Sequence, residues 1–436
     1  MQRTLSRDVA SHIDETIMLS GWLHKKRLLG GLNFITIRDR SGLTQTLIES
    51  KDELEKLRGM QIGTVLNVTG HVVSDERAPG GAELHDVSDI EVVSAVTDEP
   101  AIEVDKPIPH KSENLETLFE QRVLNLRNIT EQSIFKIRAT MTQNLRWYLI
   151  QNEFIEIDTP KLLAEATEGG AEVFKLDYFG KTATLAQSPQ FYKQIMVGAF
   201  ERVFEIGHSY RAEPSATTRH LTELTMLDIE IGFVEDHSEV MDVVAKMTQS
   251  VLRATYETHA ADLKRLNAPE LKLSDEVPEF TIAEIHEMYT KATKTETIDD
   301  KDLTPDEERW IADYAKKKFG SDLVYATHFP AEAGKFYHKF LDDGTVAWAD
   351  LLFRGLEIAT VPLRENNYEK MIEQMTSAGL DVNHDGFRYY LQAFKYGLPV
   401  HGGCGFGVDR LVQKTIGLKN VKEATLFPRD INRLTP

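Results

Sequence analysis

The sequence predicts an α+β protein with a small all-β domain at the N-terminus and a larger domain in which helices flank antiparallel strands. Two observations carry this. Between Thr16 and Ser94 the chain runs through short alternating segments punctuated by turn residues; further on, a long amphipathic helical stretch and a charged hairpin take over. At 436 residues, 41% of them hydrophobic, the chain has the length for two or three domains and enough apolar mass for a large core.

The first domain spans residues 1–100. Its strand segments are TIMLSGWLHKKR, LNFITIRDRSG, LTQTLIES, TVLNVTGHVVSD and HDVSDIEVVS, with Gly30-Gly31, Ser41-Gly42 and Pro79-Gly80-Gly81 as turns. A short polar helix from Asp52 to Gly59 follows the third strand. Five strands with one helix after the third read as an OB barrel, an architecture that commonly binds nucleic acid. Residues 101–128, with Pro107 and Pro109, read as a hinge with little regular structure. At 129–436 the larger domain opens on a helix capped at Thr130, with apolar Ile134, Ile137, Met141, Leu145 and Tyr148 on one face, feeding a strand from Phe154 to Ile157. Residues from about 255 to 335 read as a charged helical insertion without a motif.

The run Arg202–Phe233 is the most informative. Two alternating segments flank a polar loop holding Arg211, Glu213, Arg219 and His220; in the second, Leu227, Ile229 and Ile231 face one way and Met226, Asp228 and Glu230 the other. Such a hairpin holds fixed charges of both signs over a sheet face, which suits a nucleoside triphosphate beside a small zwitterion; a surface hairpin with solvated charges is the alternative.

YRAE with TTRHLTEL resembles motif 2 of the class II aminoacyl-tRNA synthetases. HGGCGFGVDRLVQ (His401–Gln413) is similar to motif 3, and IFKIRATMTQNLRWYLIQNEFIEIDTPKLL to motif 1, in the family's order. Within that family the chain looks most like the aspartyl enzymes of the compact archaeal and eukaryotic type. The resemblance implies a catalytic domain built on an antiparallel sheet, two-step ligation of aspartate to tRNA through an adenylate, ATP as co-substrate, Mg²⁺, and a homodimer formed through the long helix and the strand after it.

Residue roles follow from the same resemblance. Arg211 holds the α-phosphate and the substrate carboxylate, Glu213 contacts adenine, Arg219 and His220 meet the distal phosphates with Leu221 beside them, and Arg410 clamps the γ-phosphate behind Gly407 and Asp409. Arg211, Arg410 and Lys193 are the catalytic set. Aspartate recognition is implied for Glu168, Gln190, Lys193, Asp228, Thr360 and Arg364, the last as the cation for the side-chain carboxylate. Asp350 and Glu357, with Thr360 near them, are the implied metal site. Here geometry adds an argument: a turn at Arg354-Gly355 pairs Leu352 with Glu357 and Asp350 with Ala359, which leaves the two acids diagonal neighbours, roughly 7–8 Å apart, as hard oxygen ligands for Mg²⁺. In the barrel, Arg27, Phe34 and Gln45 occupy the anticodon-binding positions, although from the sequence alone Phe34 also fits a barrel core, and GCGFG fits a tightly packed strand as well as a nucleotide contact. His24 and Pro79 match the residues that accompany aspartylation of tRNA-Asn as well as tRNA-Asp, a variable turn being the plainer explanation. Departures from the pattern are Leu224 where an aromatic commonly stacks on adenine, ATVPLREN after Glu357 and Ile358, and Asp409 for a glutamate.

Net charge of −19 opposes a polyanionic partner globally. Residues 1–50 nonetheless carry seven basic and five acidic side chains, with Lys25, Lys26 and Arg27 contiguous. No apolar run of membrane-spanning length and no signal peptide are read, and the single cysteine, Cys404, fits a reducing cytoplasm and a packing role. The competing functions are an asparaginyl enzyme, which Asp228 and Arg364 oppose, a strictly tRNA-Asp-specific ligase, and a non-catalytic tRNA-binding relative, which the retained Arg211, Arg410, Asp350 and Glu357 oppose. Charging of tRNA-Asn implies a downstream tRNA amidotransferase.

Overall fold

The computed structural model describes residues 2–28, 30–108, 115–164, 172–297 and 301–436. The chain divides into two compact units, Met1–Gln132 and Ser133–Pro436. In the first unit, strands Thr16–Leu28, Asn33–Arg38, Leu43–Ile48, Val65–Ser74 and Ala82–Ser94 close into a barrel. The first strand pairs with both the second and the fourth, and a parallel bridge between Thr46 and Leu84 joins the third to the fifth. Strict alternation sends Ile17, Leu19, Leu23, Ile35, Ile37, Leu66 and Val68 inward. Helix Lys51–Gly59 follows the third strand, started by the Ser50 hydroxyl accepting from the Glu53 N–H. This is the OB arrangement expected.

The stretch 101–128 corrects the expectation of an irregular hinge. Helices Leu115–Glu120 and Arg122–Asn125 form there, with Leu115, Leu118 and Phe119 buried against each other. Arg122, fully buried, donates to Asn125 at 2.8 Å and pairs with Glu131 at 3.3 Å. Asn128 donates to the carbonyls of Val104 and Lys106. Buried polar side chains pin this stretch; Pro109 lies outside the described residues.

The long helix, Ile129–Gln151, is capped by Asn128 instead of Thr130: the Asn128 side-chain Oδ1 accepts from the Thr130 N–H at 2.8 Å. Ile134, Ile137, Met141, Leu145 and Leu149 form its buried stripe, at the spacing of an amphipathic helix. They pack against an eight-stranded sheet in the order Glu279–Thr281, Leu323–Pro330, Thr345–Phe353, Glu357–Pro362, His401–Gly407, Glu223–Gly232, Arg202–Tyr210, Ile155–Glu156. The inner six strands are antiparallel and the two edge strands pair parallel to their neighbours. The strand expected at 154–157 shortens to Ile155–Glu156. The supposed helical insertion also differs from expectation. Helices His237–Thr258, Ala260–Arg265, Ile282–Thr293 and Pro305–Phe319 are present, but Glu279–Thr281 and the eight-residue Leu323–Pro330 belong to the central sheet. LVYATHFP, with its buried Leu323, Val324, Tyr325 and Ala326, reads as a core strand once the charged helices around it are set aside.

Candidate active site

One face of the sheet packs on the long helix and carries Leu227, Ile229, Ile231, Cys404 and Phe406. Alternation turns Met226, Asp228 and Glu230 to the other face, together with Gly403, Gly405 and Gly407 of the facing strand. The glycines matter most at Gly403, where a Cβ would lie 2.0 Å from the Ile229 carbonyl oxygen and 2.5 Å from the Glu230 carboxylate. A row therefore crosses four strands as Asp228, Gly405, Thr360, Asp350, and a cavity opens above it.

The turn at Arg354-Gly355 forms as expected, with both residues at positive φ, and Leu352 pairs with Glu357. Asp350, however, pairs with Thr360 and not with Ala359, because the register shifts between Leu351 and Leu352 and leaves Ile358 as an extra residue. That bulge changes the face of everything before it. Residues three apart, Glu357 and Thr360, become neighbours on the cavity side, and the Thr360 hydroxyl donates to Glu357 at 2.8 Å. Asp350 accepts from the Trp348 indole N–H at 2.6 Å. Burial, then the nearby Glu357 carboxylate, push the Asp350 acid well above the carboxylate range. Burial would raise Glu357 too, but Arg410 and the Thr360 hydroxyl outweigh it and hold the acid down. Two neighbouring acids, the buried one retaining its proton, are an environment that a divalent cation would relieve.

At one end of the cavity lies a buried ionic quartet. Lys193, from helix Gln190–Phe200, donates to Asp228 at 2.8 Å and to the Cys404 carbonyl at 3.0 Å, and sits 3.5 Å from Glu230. Burial lowers the Lys193 pKa, but Asp228 and Glu230 more than reverse this, and the ammonium stays charged. Arg364 donates to Glu230 through two nitrogens at 2.9 and 3.4 Å, and its guanidinium lies 5.2 Å from the Tyr337 ring centroid. The quartet sums to zero charge, which makes its burial tolerable. Glu230 is thus the residue that aims Arg364, and the sequence reading noted its facing without assigning it a role. Behind the quartet, Gln190 donates to Gln194, which also accepts from Tyr390 and contacts His401. Burial lowers the His401 pKa. A neutral ring donating from Nδ1 to the Pro399 carbonyl at 2.8 Å therefore accepts from Gln194 at Nε2. Cys404 is buried, and its thiol is pushed up to about 12 by that burial, consistent with packing. Pro362, one of the departures, lines the cavity, while Leu363 bridges to Gly402.

The opposite end is cationic. Arg211, Glu213, Arg219, His220, Leu221, Leu224, Glu357, Gly407 and Arg410 all line it. Arg410 lies over Gly407, where a Cβ would touch it at 3.5 Å, and donates to the Glu357 carbonyl at 2.9 Å and carboxylate at 3.1 Å. His220 bonds the Thr217 hydroxyl at 2.9 Å; burial, opposed by Glu213 but helped by Arg410 and Arg219, keeps its pKa low. Asp409 borders the cavity, but its oxygens are taken by Arg138 and by the Thr225 N–H, so its carboxylate ties motif 3 to the long helix and the neighbouring strand. Arg219 pairs with Glu308 of helix Pro305–Phe319, a residue no sequence signal marked. Glu168 lies outside the described residues.

In the barrel unit, Arg27 pairs with Phe34 and Lys25 with Thr36, which in turn pairs with Gln45. Phe34 is half-buried and absent from the cluster that fills the barrel, so it is an outward aromatic and not a core residue. Gln45 donates to the buried Glu83 at 2.7 Å, and Glu83 also holds His85 at 2.8 Å. This fixes the Gln45 amide with its carbonyl oxygen free. Burial, then Arg38, lower the His24 pKa, so its ring is neutral at pH 7. Pro79 is exposed and begins the turn Pro79–Gly81.

Comparison with known proteins agrees with this geometry. The family of class II tRNA synthetases (D, K and N) matches residues 114–431, and the OB-fold nucleic acid binding domain matches residues 17–93. The aspartate–tRNA(Asp/Asn) ligase of Thermus thermophilus is 38% identical over 100% of both chains. The aspartate–tRNA(Asp) ligase of Pyrococcus abyssi is 37% identical over 96% of each. Among solved structures, asparaginyl-tRNA synthetase of Pyrococcus horikoshii with asparaginyl-adenylate superposes with a TM-score of 0.91 at 29% identity, covering 100% of both chains. An antiparallel sheet on which two of the motif segments line one charged cavity, an OB barrel before it, and full-length similarity at this level establish that the chain belongs to the class II aminoacyl-tRNA synthetases of the aspartate, lysine and asparagine group.

Proposed function

We propose that the protein is an aspartate–tRNA ligase that charges both tRNA-Asp and tRNA-Asn. The observation that carries the amino acid is the arrangement of the buried quartet, with Lys193 and Arg364 held together by Asp228 and Glu230. An aspartate side-chain carboxylate can share Arg364 and Lys193 with Glu230, whereas the asparagine amide brings no charge to these buried cations. Asp228 receives the substrate ammonium, and Arg364, aimed by Glu230, receives the side-chain carboxylate together with Lys193. Gln190 and Glu168 complete the amino-acid set.

ATP enters at the cationic end. Arg211 bridges the α-phosphate and the attacking carboxylate, Arg219, His220 and Arg410 meet the distal phosphates, and Glu213 and Leu221 border the adenine with Leu224 in place of a stacking ring. An aspartate α-carboxylate oxygen attacks the α-phosphorus and pyrophosphate leaves; a ribose hydroxyl of the tRNA 3′ end then attacks the acyl carbon and AMP leaves. Positioning and charge neutralisation are the protein's contribution. Asp350 and Glu357, with Thr360 between them, are the residues that would hold Mg²⁺, which neutralises triphosphate charge when bound.

The barrel's outward Arg27, Phe34 and Gln45 form the anticodon surface. Curated relatives of nearly equal identity carry both tRNA scopes in their names, so overall similarity does not decide this point, and the local residues support the broader scope. A neutral His24 and a small exposed Pro79 present nothing that selects one third anticodon base against the other. Trp147 and Ile150 on the long helix and Ile155 on the adjacent edge strand are exposed, an apolar face that fits a homodimer. No helix among the described residues is long and apolar enough to cross a membrane. The proposed reaction places the enzyme in the cytoplasm, where its Asp-tRNA-Asn passes to an amidotransferase. Charging assays with the two transcripts test the scope: comparable efficiency, within about tenfold or ~1.4 kcal/mol, is expected, and a deficit of about three orders of magnitude for tRNA-Asn would make the enzyme a strict tRNA-Asp ligase.

A further inference from the structure

Arg219 lies on an irregular loop between strands Arg202–Tyr210 and Glu223–Gly232. Its backbone N–H is bonded to the Thr217 hydroxyl at 3.2 Å, and its guanidinium is ion-paired through Nη2 to Glu308, 89 residues away in sequence. Arg219 borders the cavity and Glu308 does not. The carboxylate therefore sits behind the guanidinium, and the arginine's other donors remain available on the cavity side. Glu308 is itself held firmly. It lies in the first turn of helix Pro305–Phe319, whose start is fixed by Pro305 and by a capping box between Thr304 and Glu307. Glu307 is in turn bonded to His286 at 2.7 Å and Thr297 at 3.0 Å. Ile311, Ala312 and Ala315 seat the helix on the sheet.

We propose that Glu308 is a positioning residue for ATP: it holds Arg219 at the triphosphate end of the cavity before the nucleotide arrives. This rests on Arg219 being a triphosphate ligand. A long arginine on a loop loses much of its side-chain freedom when it is fixed. A rigid carboxylate behind it removes part of that loss from the binding step. It also gives a role to a helix that carries no family motif.

The test is ATP–pyrophosphate exchange with Glu308→Gln, Arg219→Ala and the double variant, alongside thermal melts. Glu308→Gln keeps the shape and loses the charge. It should raise the KM for ATP about five- to tenfold, an effect on the scale of a lost charge-assisted contact, with aspartate KM and melting midpoint unchanged. In the Arg219→Ala background the same substitution should add less than about twofold, because the two residues act as one unit. Arg219→Ala separates the layers of the argument. If it leaves the ATP KM unchanged, Arg219 is no triphosphate ligand and the proposal falls with it. If it raises the KM while Glu308→Gln does not, or if Glu308→Gln lowers the KM, Arg219 keeps its role and the positioning by Glu308 is overturned.

Discussion

Replacing Arg364 by leucine tests the amino-acid end of the site. Arg364 is 3% exposed and gives two donors to Glu230, at 2.9 and 3.4 Å. Leucine removes a guanidinium from that end and leaves Glu230 with Lys193 as its ion-pair partner among the described residues, at 3.5 Å. Truncating one member of a buried, hydrogen-bonded charge pair costs about 2–5 kcal/mol. At about 1.4 kcal/mol per decade that caps the rise in aspartate KM at roughly 30- to 4,000-fold, the cap being reached if all of the cost falls on substrate binding. Part of the cost belongs to the stranded Glu230 carboxylate and appears as a lower melting midpoint; the substrate part appears only in kinetics. The assay is ATP–pyrophosphate exchange at saturating ATP, with aspartate and asparagine titrated separately. Aspartate should lose far more than asparagine, because only the aspartate side chain carries the charge that Arg364 neutralises. An aspartate KM within about threefold of wild type would show that Arg364 serves Glu230 alone and that recognition lies elsewhere.

Two further outcomes follow from the same structure. Asp350, held well above the carboxylate range by burial and by Glu357, keeps a proton in the folded chain that the unfolded chain releases, so stability falls as pH rises from about 4 toward the raised value. In chelator, Asp350→Asn should therefore melt above wild type at pH 7.5, with the gap closing toward pH 4; added Mg²⁺ should raise the wild-type midpoint and leave the variant's unmoved. Equal midpoints across that range would remove the reading of a frustrated acid pair. Phe34→Ala should weaken tRNA aspartylation by about 1–3 kcal/mol, the worth of one stacked base, while pyrophosphate exchange is unchanged; unaltered tRNA KM would return Phe34 to a packing role.

How much was legible in the sequence depended on the range of the interaction. Period-two alternation placed Asp228 and Glu230 on the face opposite Leu227, Ile229 and Ile231, and that is where they lie. The barrel was legible because each of its strands alternates cleanly and its turns are marked by glycine and proline. The pairing of Asp350 was off by one residue because a bulge at Ile358 leaves no local mark: isoleucine fits a bulged and a regular strand equally. Pro107 and Pro109 suggest an irregular hinge, whereas buried Arg122, Asn125 and Asn128 make contacts that order the stretch after them and that leave no local pattern in the sequence. Leu323–Pro330 was hidden among charged helices. Glu308 was out of reach altogether, since one exposed-looking glutamate in an amphipathic helix carries no sign of an arginine 89 residues earlier. Glu230 was visible but unassigned, because its role depends on Arg364 folding back across the sheet.

The most direct test of the central claim is ATP–pyrophosphate exchange by the purified protein with aspartate, asparagine and lysine in parallel. The buried Arg364 and Lys193 predict exchange with aspartate at least about a hundredfold above either alternative, or ~2.7 kcal/mol of discrimination. Exchange with asparagine equal to or above that with aspartate would contradict the role of these two cations and place the enzyme among the asparaginyl ligases.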